Sequence, residues 1–392
     1  MNDSIWTKNF IVISLINFLS ILMFYLLIVT IASYAIETYH VSTSIAGLVS
    51  SIYVIGALIG RLLTGRLIGK VGSTKILSIG VLLFFMSACL YFIEINVGFL
   101  LFNRLIQGIF VGIIGTAAGT IVAYILPASR KGEGIGYFSL SVILATAIGP
   151  FIGIFLMKFE NGNDYIFGLN IGLSLLMIIA LAFIRLDGET LSSNQQESTE
   201  ESFLAKFMEP KSIPISFIAL LMGFAYSGVM SFLSFFAEEI NLVDAASLFF
   251  IVYAVATIFT RPFGGRLMDR KGPNIIVYPC LVIFAIGMYL FSQANSSFIL
   301  LLSAALIGLG FGNINSIAQT IAVKVTEPHR FGFATSTYFI FYDTGLGFGP
   351  YLLGLIIPFV GYRTIFLWMV PIIVISIPLY LVLHGRKAKL YI

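Results

Sequence analysis

Charge is scarce in this chain. Only 10% of its 392 residues are Asp, Glu, Lys or Arg, where soluble domains carry about a quarter, so a water-facing surface of ordinary size cannot be covered. Cysteine is nearly absent as well. Cys89 and Cys280 lie in different apolar runs and give neither a disulfide framework nor a metal-ligand spacing. There is no phosphate-binding loop, no Asp-rich metal cluster and no nucleophile–base arrangement. An enzyme or an ATP-driven pump therefore has nothing to rest on, and no metal or cofactor is expected. The first apolar run starts near Phe10, is too long for a signal core and lacks a small-residue cleavage site. It reads as a helix that stays.

What the chain has is apolar length. Apolar residues make up 59% and Phe alone counts 37. Runs occur at about 10–35, 44–64, 76–95, 98–124, 136–157 and 166–184, and again at about 213–236, 245–264, 274–293, 298–321, 332–357 and 364–383. Each is close to the roughly 20 residues that a spanning helix needs. Helices and closed barrels alone satisfy their backbone in lipid, and runs of this length are helices. The fold class expected is an all-α membrane protein of twelve transmembrane helices.

The net charge of +4 does not indicate a nucleic-acid partner, because nearly all 22 Lys and Arg fall in alternate loops. With a cytoplasmic N-terminus, the inner segments hold Lys8, Arg61, Arg66, Lys70, Lys75, Arg130, Lys131, Arg185, Lys206 and Lys211, and the second set from Arg261 to Lys389; the outer loops keep Lys158 and Arg363. That asymmetry puts both termini inside. The segment Asp187–Ser202 is the one polar stretch and reads as a cytoplasmic linker. The expected organisation is a six-helix bundle at 1–185, a linker at 186–212 and a second six-helix bundle at 213–392.

The two halves repeat at an offset of 200 residues. Arg61, Gly65, Arg66, Leu67 and Gly72 match Arg261, Gly265, Arg266, Leu267 and Gly272; Gly108 and Gly112 match Gly308 and Gly312; Arg130 and Gly132 match Arg330 and Gly332; Gly149-Pro150 matches Gly349-Pro350. Even numbers of helices per half give parallel repeats about an axis along the membrane normal.

A duplicated six-helix half with a basic, glycine-punctuated loop after its second helix resembles the major facilitator superfamily over the whole chain. The loop motif of that family, Gly-x-x-x-Asp-Arg/Lys-x-Gly, is intact at Gly265, Asp269, Arg270 and Gly272; the first copy has Gly65 and Gly72 but Gly69 in place of the aspartate. Arg104 with Gln107 and Gly108 resembles the family's buried-arginine motif, and Gly149-Pro150 with Gly153 resembles the motif of its antiporter branch. The resemblance implies a twelve-helix drug:proton antiporter, or a near relative that exports small metabolites. It implies a gating role for Gly65, Gly265, Asp269, Arg270, Gly149 and Pro150. By pseudo-symmetry Asp269 is expected to face the start of the fifth helix near Gly134 to Tyr137.

Two ionisable residues lie inside apolar runs. Asp343 is about 16 Å from the inner end of the eleventh helix and Arg104 about 9 Å from the outer end of the fourth, at 1.5 Å per residue. A charge at such depth is costly unless it faces a cavity or a partner. Asp343 is expected to carry the proton and Arg104 to organise the site electrostatically; the alternative is that each merely locks a helix–helix contact. Glu238 and Glu239, at the outer end of the seventh helix, are either a solvated helix end or an outer station on the proton path. His40, His329 and His384 fall in loops or at the tail, which argues against a histidine relay. The substrate cavity is expected to use Asn17 and Tyr25 (first helix), Gln107 (fourth), Tyr226 (seventh), Tyr253 (eighth), Asn313, Asn315 and Gln319 (tenth), and Tyr338 and Tyr342 (eleventh), against the alternative that such aromatics only pack.

The function expected is proton-coupled export of small amphipathic compounds by alternating access, from a monomer in the cell membrane of a bacterium, with protons, a small-molecule substrate and the lipid bilayer as its partners. A uniporter or importer on the same fold, or a membrane sensor, are the competing readings.

Overall fold

The computed structural model describes residues 4–28, 30–41, 43–157, 159–184 and 208–386. Most of the linker, together with Lys158, Arg185, Lys206, Lys387 and Lys389, lies outside the described residues. Among the described residues there is no strand. The helices are α1 (Lys8–Ile28), α2 (Ile31–Tyr39), α3 (Thr43–Val71), α4 (Ser73–Cys89), α5 (Val97–Ile125), α6 (Lys131–Leu156), α7 (Gly162–Leu181), α8 (Ile213–Glu239), α9 (Val243–Lys271), α10 (Asn274–Ser292), α11 (Ser297–Ile307), α12 (Asn313–Lys324) and α13 (Phe331–Leu383).

Eleven of the described helical stretches are long and apolar enough to cross a membrane. The twelfth is hidden in α13. Its 53 residues would run about 80 Å at 1.5 Å per residue, against a hydrocarbon core of about 30 Å. Gly361, at φ 78° and ψ 165°, breaks it into two spans. The first span is α1, and the short α2 follows it. The tenth is made of α11 and α12, joined by a five-residue π turn at Gly308–Gly312. The chain is thus an all-helical, twelve-span membrane protein.

Glycine supplies the shared geometry of the repeat. Gly72 and Gly272 hold φ of 89° and 86° at equivalent ends of α3 and α9, a conformation that side-chain-bearing residues avoid. Gly108 and Gly308 let the fourth and tenth spans approach the second and eighth. A Cβ on Gly108 would lie 2.1 Å from the Tyr53 carbonyl oxygen, and one on Gly308 would lie 2.5 Å from that of Tyr253. Small residues at such crossings replace the hydrophobic drive that lipid cannot provide.

The contacts gather into two compact units, Met1–Ile125 with Ser141–Met208 and Pro328–Ser336, and Leu126–Leu140 with Glu209–Glu327 and Thr337–Ile392. Each unit therefore includes the first turns of one helix from the other half of the sequence: α6 starts in the second unit and α13 starts in the first. The second unit has an aromatic core in which Phe236, Phe249, Phe284, Phe291 and Phe366 are buried, with Phe291 and Phe366 edge to face at 4.6 Å.

Candidate functional site

The start of α6 lies against the loop after α9. The first N–H groups of a helix have no partner inside it, and here a carboxylate takes two of them. Asp269 accepts from the Gly132 N–H through Oδ1 and from the Glu133 N–H through Oδ2, both at 3.0 Å. The aspartate meets the helix slightly before the expected Gly134–Tyr137, where N–H groups are already used within the helix. Lys324 Nζ donates to Oδ1 at 2.8 Å. Glu133 in turn binds Arg266 at 2.6 Å and Arg130 at 2.9 Å. Gly265 and Gly132 make room for this clasp, since a Cβ on Gly265 would sit 2.5 Å from the Gly132 carbonyl oxygen. Arg270, the basic member of the motif, is exposed.

The pseudo-equivalent place in the first unit has the same backbone and other chemistry. Offset by 200, Phe331 stands for Lys131, Tyr124 for Lys324, Phe333 for Glu133 and Gly69 for Asp269. Tyr124 and Phe331 pack ring on ring at 5.0 Å, and Arg330 lies over Phe333 at 4.7 Å. Ser336 Oγ donates to the Arg61 carbonyl at 2.6 Å, and a Cβ on Gly65 would meet Ser336 at 2.8 Å.

The polar residues expected in a cavity fall into separate groups. In the first unit Arg104 is fully buried. It donates to the Val49 carbonyl at 3.3 Å, to the Tyr91 hydroxyl at 3.3 Å and to Gln107 Oε1 at 3.1 Å, and it lies 4.6 Å from the ring centroid of Tyr53. Tyr91 also donates to Gln107 Oε1, at 2.5 Å. Among the described residues no carboxylate pairs with this guanidinium. Asn17 is buried and donates to Ser141 Oγ at 2.8 Å. Tyr25 is half-buried beside Gly149, on which a Cβ would lie 2.6 Å from the Tyr25 Cβ; Pro150 follows inside α6.

In the second unit Tyr226, Tyr253, Asn315, Tyr338 and Tyr342 come together around the π turn. Tyr226 stacks on Tyr253 at 5.5 Å and on Phe311 at 4.2 Å. Asn315 Nδ2 donates to the Tyr342 hydroxyl at 3.0 Å, and the Tyr338 hydroxyl donates to Asn315 Oδ1 and, at 2.8 Å, to its carbonyl. A π turn releases carbonyls from the helical ladder, and neighbouring side chains take them. Thr257 Oγ1 donates to the Gly308 carbonyl at 3.1 Å, Asn313 Nδ2 to Leu309 at 2.7 Å, and Arg261 Nε to Gly312 at 2.9 Å. Asn313 and Gln319 are both buried; the Asn313 amide also reaches Thr260 Oγ1 at 2.8 Å. Asp343, next to Tyr342 on α13, is half-buried. Glu238 and Glu239 are exposed at the end of α8, with no bond to this group. His384, read as part of the tail, is buried beside Tyr380, and burial pushes its imidazole down to about 4.

Sequence reasoning missed Phe311, Tyr53, Tyr91, Glu133 and Lys324. Phe311 carried a weak signal, an aromatic set among the glycines of the tenth span. Lys324 carried none beyond its charge, since it sits 55 residues from its partner.

Twelve spans in two repeats, polar clusters buried inside each unit and glycine-spaced loops after the second and eighth spans define a secondary transporter, not an enzyme. The chain belongs to the Major Facilitator Superfamily, whose model matches residues 13–251 and again 215–390. It is similar to multidrug resistance protein 2 of Bacillus subtilis, 24% identical over 339 residues and 84% of each chain. The multi-drug resistance efflux pump PmrA of Streptococcus pneumoniae is 23% identical over 82% of this chain and 81% of its own. An MFS-type transporter of Methanocaldococcus jannaschii is 25% identical over 90% and 92%. Among solved structures, the human organic anion transporter MFSD10 superposes with a TM-score of 0.79 at 14% identity, covering 95% of this chain and 98% of its own. The proton:xylose symporter XylE superposes with a TM-score of 0.75 at 17% identity and 95% of both chains.

Proposed function

We propose that this transporter exports small amphipathic compounds in exchange for protons, as a monomer with both termini and the 186–212 linker in the cytoplasm. The observation that carries the reading is Asp343, a half-buried carboxyl inside a membrane span, adjoining the Tyr342–Asn315 pair. A low-dielectric site disfavours a bare carboxylate, and water or a nearby cation restores it. A carboxyl whose surroundings alternate between those two conditions takes up a proton on one side and yields it on the other. The names of the bacterial relatives support export of drug-like compounds, and the aromatic rings gathered beside Asn315 support an amphipathic solute. Arg104 acts electrostatically from the first unit. Glu238 and Glu239 remain proposed as an outer station.

The clasp at Asp269 acts in this reading as the cytoplasmic latch that forms and breaks once per cycle, with Gly65, Gly265 and Arg270 shaping its loops. Gly149 and Pro150 shape the fifth span through its backbone. Tags at either terminus or in the linker are expected to report from the cytoplasm; labelling from outside intact cells contradicts the orientation. The functional test is substrate-dependent proton release from proteoliposomes across a panel of compounds. Release with lipophilic compounds is expected. Flux that ignores the pH gradient would favour a uniporter.

A further inference from the structure

The fourth and tenth spans count the same residues and wind differently. Gly108 and Gly112 match Gly308 and Gly312, and Arg130 matches Arg330, so neither span carries an inserted residue. Yet Gly308–Gly312 is a π turn, while its counterpart lies within the unbroken α5. The neighbouring side chains account for the difference. Thr257 donates to the Gly308 carbonyl, and Asn313 and Cys280 donate to that of Leu309. Their places in the first unit are taken by Ala57, Ile113 and Gly80, none of which has a side-chain donor. Gly310 is a second cause. A Cβ there would lie 2.6 Å from the Phe284 nitrogen and 2.7 Å from the Cys280 carbonyl oxygen, whereas the fourth span has Phe110 at that place.

What the winding moves is α12. Its 12 residues form a rod of about 18 Å, with a polar contact near each end. Near the turn, Asn315 is bonded to Tyr338 and Tyr342. At the far end, about 14 Å on, Lys324 binds Asp269 at 2.8 Å. Rewinding the turn from i→i−5 to i→i−4 bonds shifts everything beyond it by one residue, about 100° of rotation and about 1.5 Å of rise. A change of that size carries both side chains off their partners together.

We infer that this turn is a two-state joint coupling the polar group at Asn315 to the cytoplasmic latch at Asp269: wound as a π turn it seats both contacts, and wound as an α-helix it releases both. Thr257 and Asn313 are the positioning residues that hold the π winding, together with Arg261, whose Nε donates to the Gly312 carbonyl at 2.9 Å. The inference rests on the proposed transport for the meaning of the latch, but it is tested without substrate or gradient. The joint belongs to one repeat, because the first unit has Gly115 and Tyr124 in place of Asn315 and Lys324.

The test is amide hydrogen exchange, followed by mass spectrometry on purified protein in lipid nanodiscs. The reporters are the Gly132 and Glu133 N–H groups that Asp269 holds, whose exchange reads local opening of the latch. Tyr338→Phe combined with Tyr342→Phe removes the hydroxyls around Asn315 and leaves the residues of the turn and the latch in place. Thr257→Ala combined with Asn313→Ile gives the turn the first unit's side chains. In both variants the two amides are expected to exchange about tenfold faster than in the wild type, with exchange in α3 and α5 of the first unit unchanged. Thr257→Ser, which keeps the hydroxyl, is the conservative control and should protect the amides as the wild type does. A cryo-electron microscopy structure of the Thr257→Ala, Asn313→Ile variant is expected to show α-helix at Gly308–Gly312. Thermal melts and gel filtration show whether that variant remains folded, and the tyrosine pair decides alone if it does not. Wild-type exchange at Gly132 and Glu133 in the tyrosine variant overturns the joint, as does equal acceleration in α3 and α5, which marks general loosening. Coupled exchange together with transport indifferent to pH would leave the joint standing and contradict only the proposed proton coupling.

Discussion

The two pseudo-equivalent junctions, one in each unit, share a backbone and differ in chemistry. Where α6 begins, a carboxylate caps two N–H groups and binds a lysine, and a second carboxylate holds two arginines. Where α13 begins, a tyrosine packs on a phenylalanine and an arginine lies over another. Glycine fixes close approach in both, at Gly265 with Gly132 and at Gly65 with Ser336. The comparison separates two requirements that a single junction would confound. Closing the helices needs only small residues and good packing. Closing them so that water and charge can reopen them needs ionisable partners. In the proposed cycle the second unit's junction is the responsive one, and the first unit's is held by packing that salt and protonation barely touch.

Changes to the shared geometry should damage both copies, and most severely. A Cβ on Gly149 would sit 2.6 Å from the Tyr25 Cβ, and one on Gly349 would sit 2.0 Å from Ser227 Oγ. Gly149→Leu and Gly349→Leu are each expected to abolish transport while the protein still inserts. Normal transport by either would show that the glycine of that copy is not needed for the helix contact.

Changes to charge should damage one copy only. Breaking a buried ion pair by neutralising one partner costs about 3–5 kcal/mol, and Asp269→Asn also removes the charge that favours the start of α6. Transport by Asp269→Asn is expected to fall at least about tenfold, with the inner-facing state favoured. The opposite graft, Gly69→Asp, should change transport by less than about twofold, because its surroundings offer Tyr124 where the other copy has Lys324. Equal, small effects from both would dissolve the asymmetry.

Glu133→Gln is a milder version. The arginines it serves are partly exposed, at 35% and 46% side-chain exposure, so each pair contributes about 0–1 kcal/mol. A reduction of about two- to fivefold in transport is expected, together with loss of the salt sensitivity expected of the wild type. Salt sensitivity unchanged in this variant would place the responsive charges elsewhere.

The spans, the repeat and the motif around Asp269 were legible because each rests on local composition or on spacing within one loop. Asp343 and Arg104 were legible because a charge in an apolar run stands out. Their neighbours were not. Lys324 looks like any inner-loop cation until the fold brings it to Asp269. Tyr91 and Tyr53 look like two of many aromatics, and only the fold shows that they enclose Arg104. The glycines around Phe311 read as close-packing residues and do so serve, but they also accompany a π turn, which depends on carbonyl partners from the eighth and ninth spans. His384 does lie at the tail, just past the end of α13, and only the structure shows that it is buried there beside Tyr380.

The central claim is that Asp343 carries the proton, and one measurement bears on it directly. Wild type and Asp343→Asn are reconstituted in proteoliposomes, and uptake or release of a transported compound is followed with and without a pH gradient, with Asp343→Glu alongside. Gradient-driven transport is expected to vanish in the Asn variant, to persist in part in the Glu variant, and ligand binding is expected to survive in both. Full gradient-driven transport by Asp343→Asn would contradict the account and shift the proton to Glu238 or Glu239.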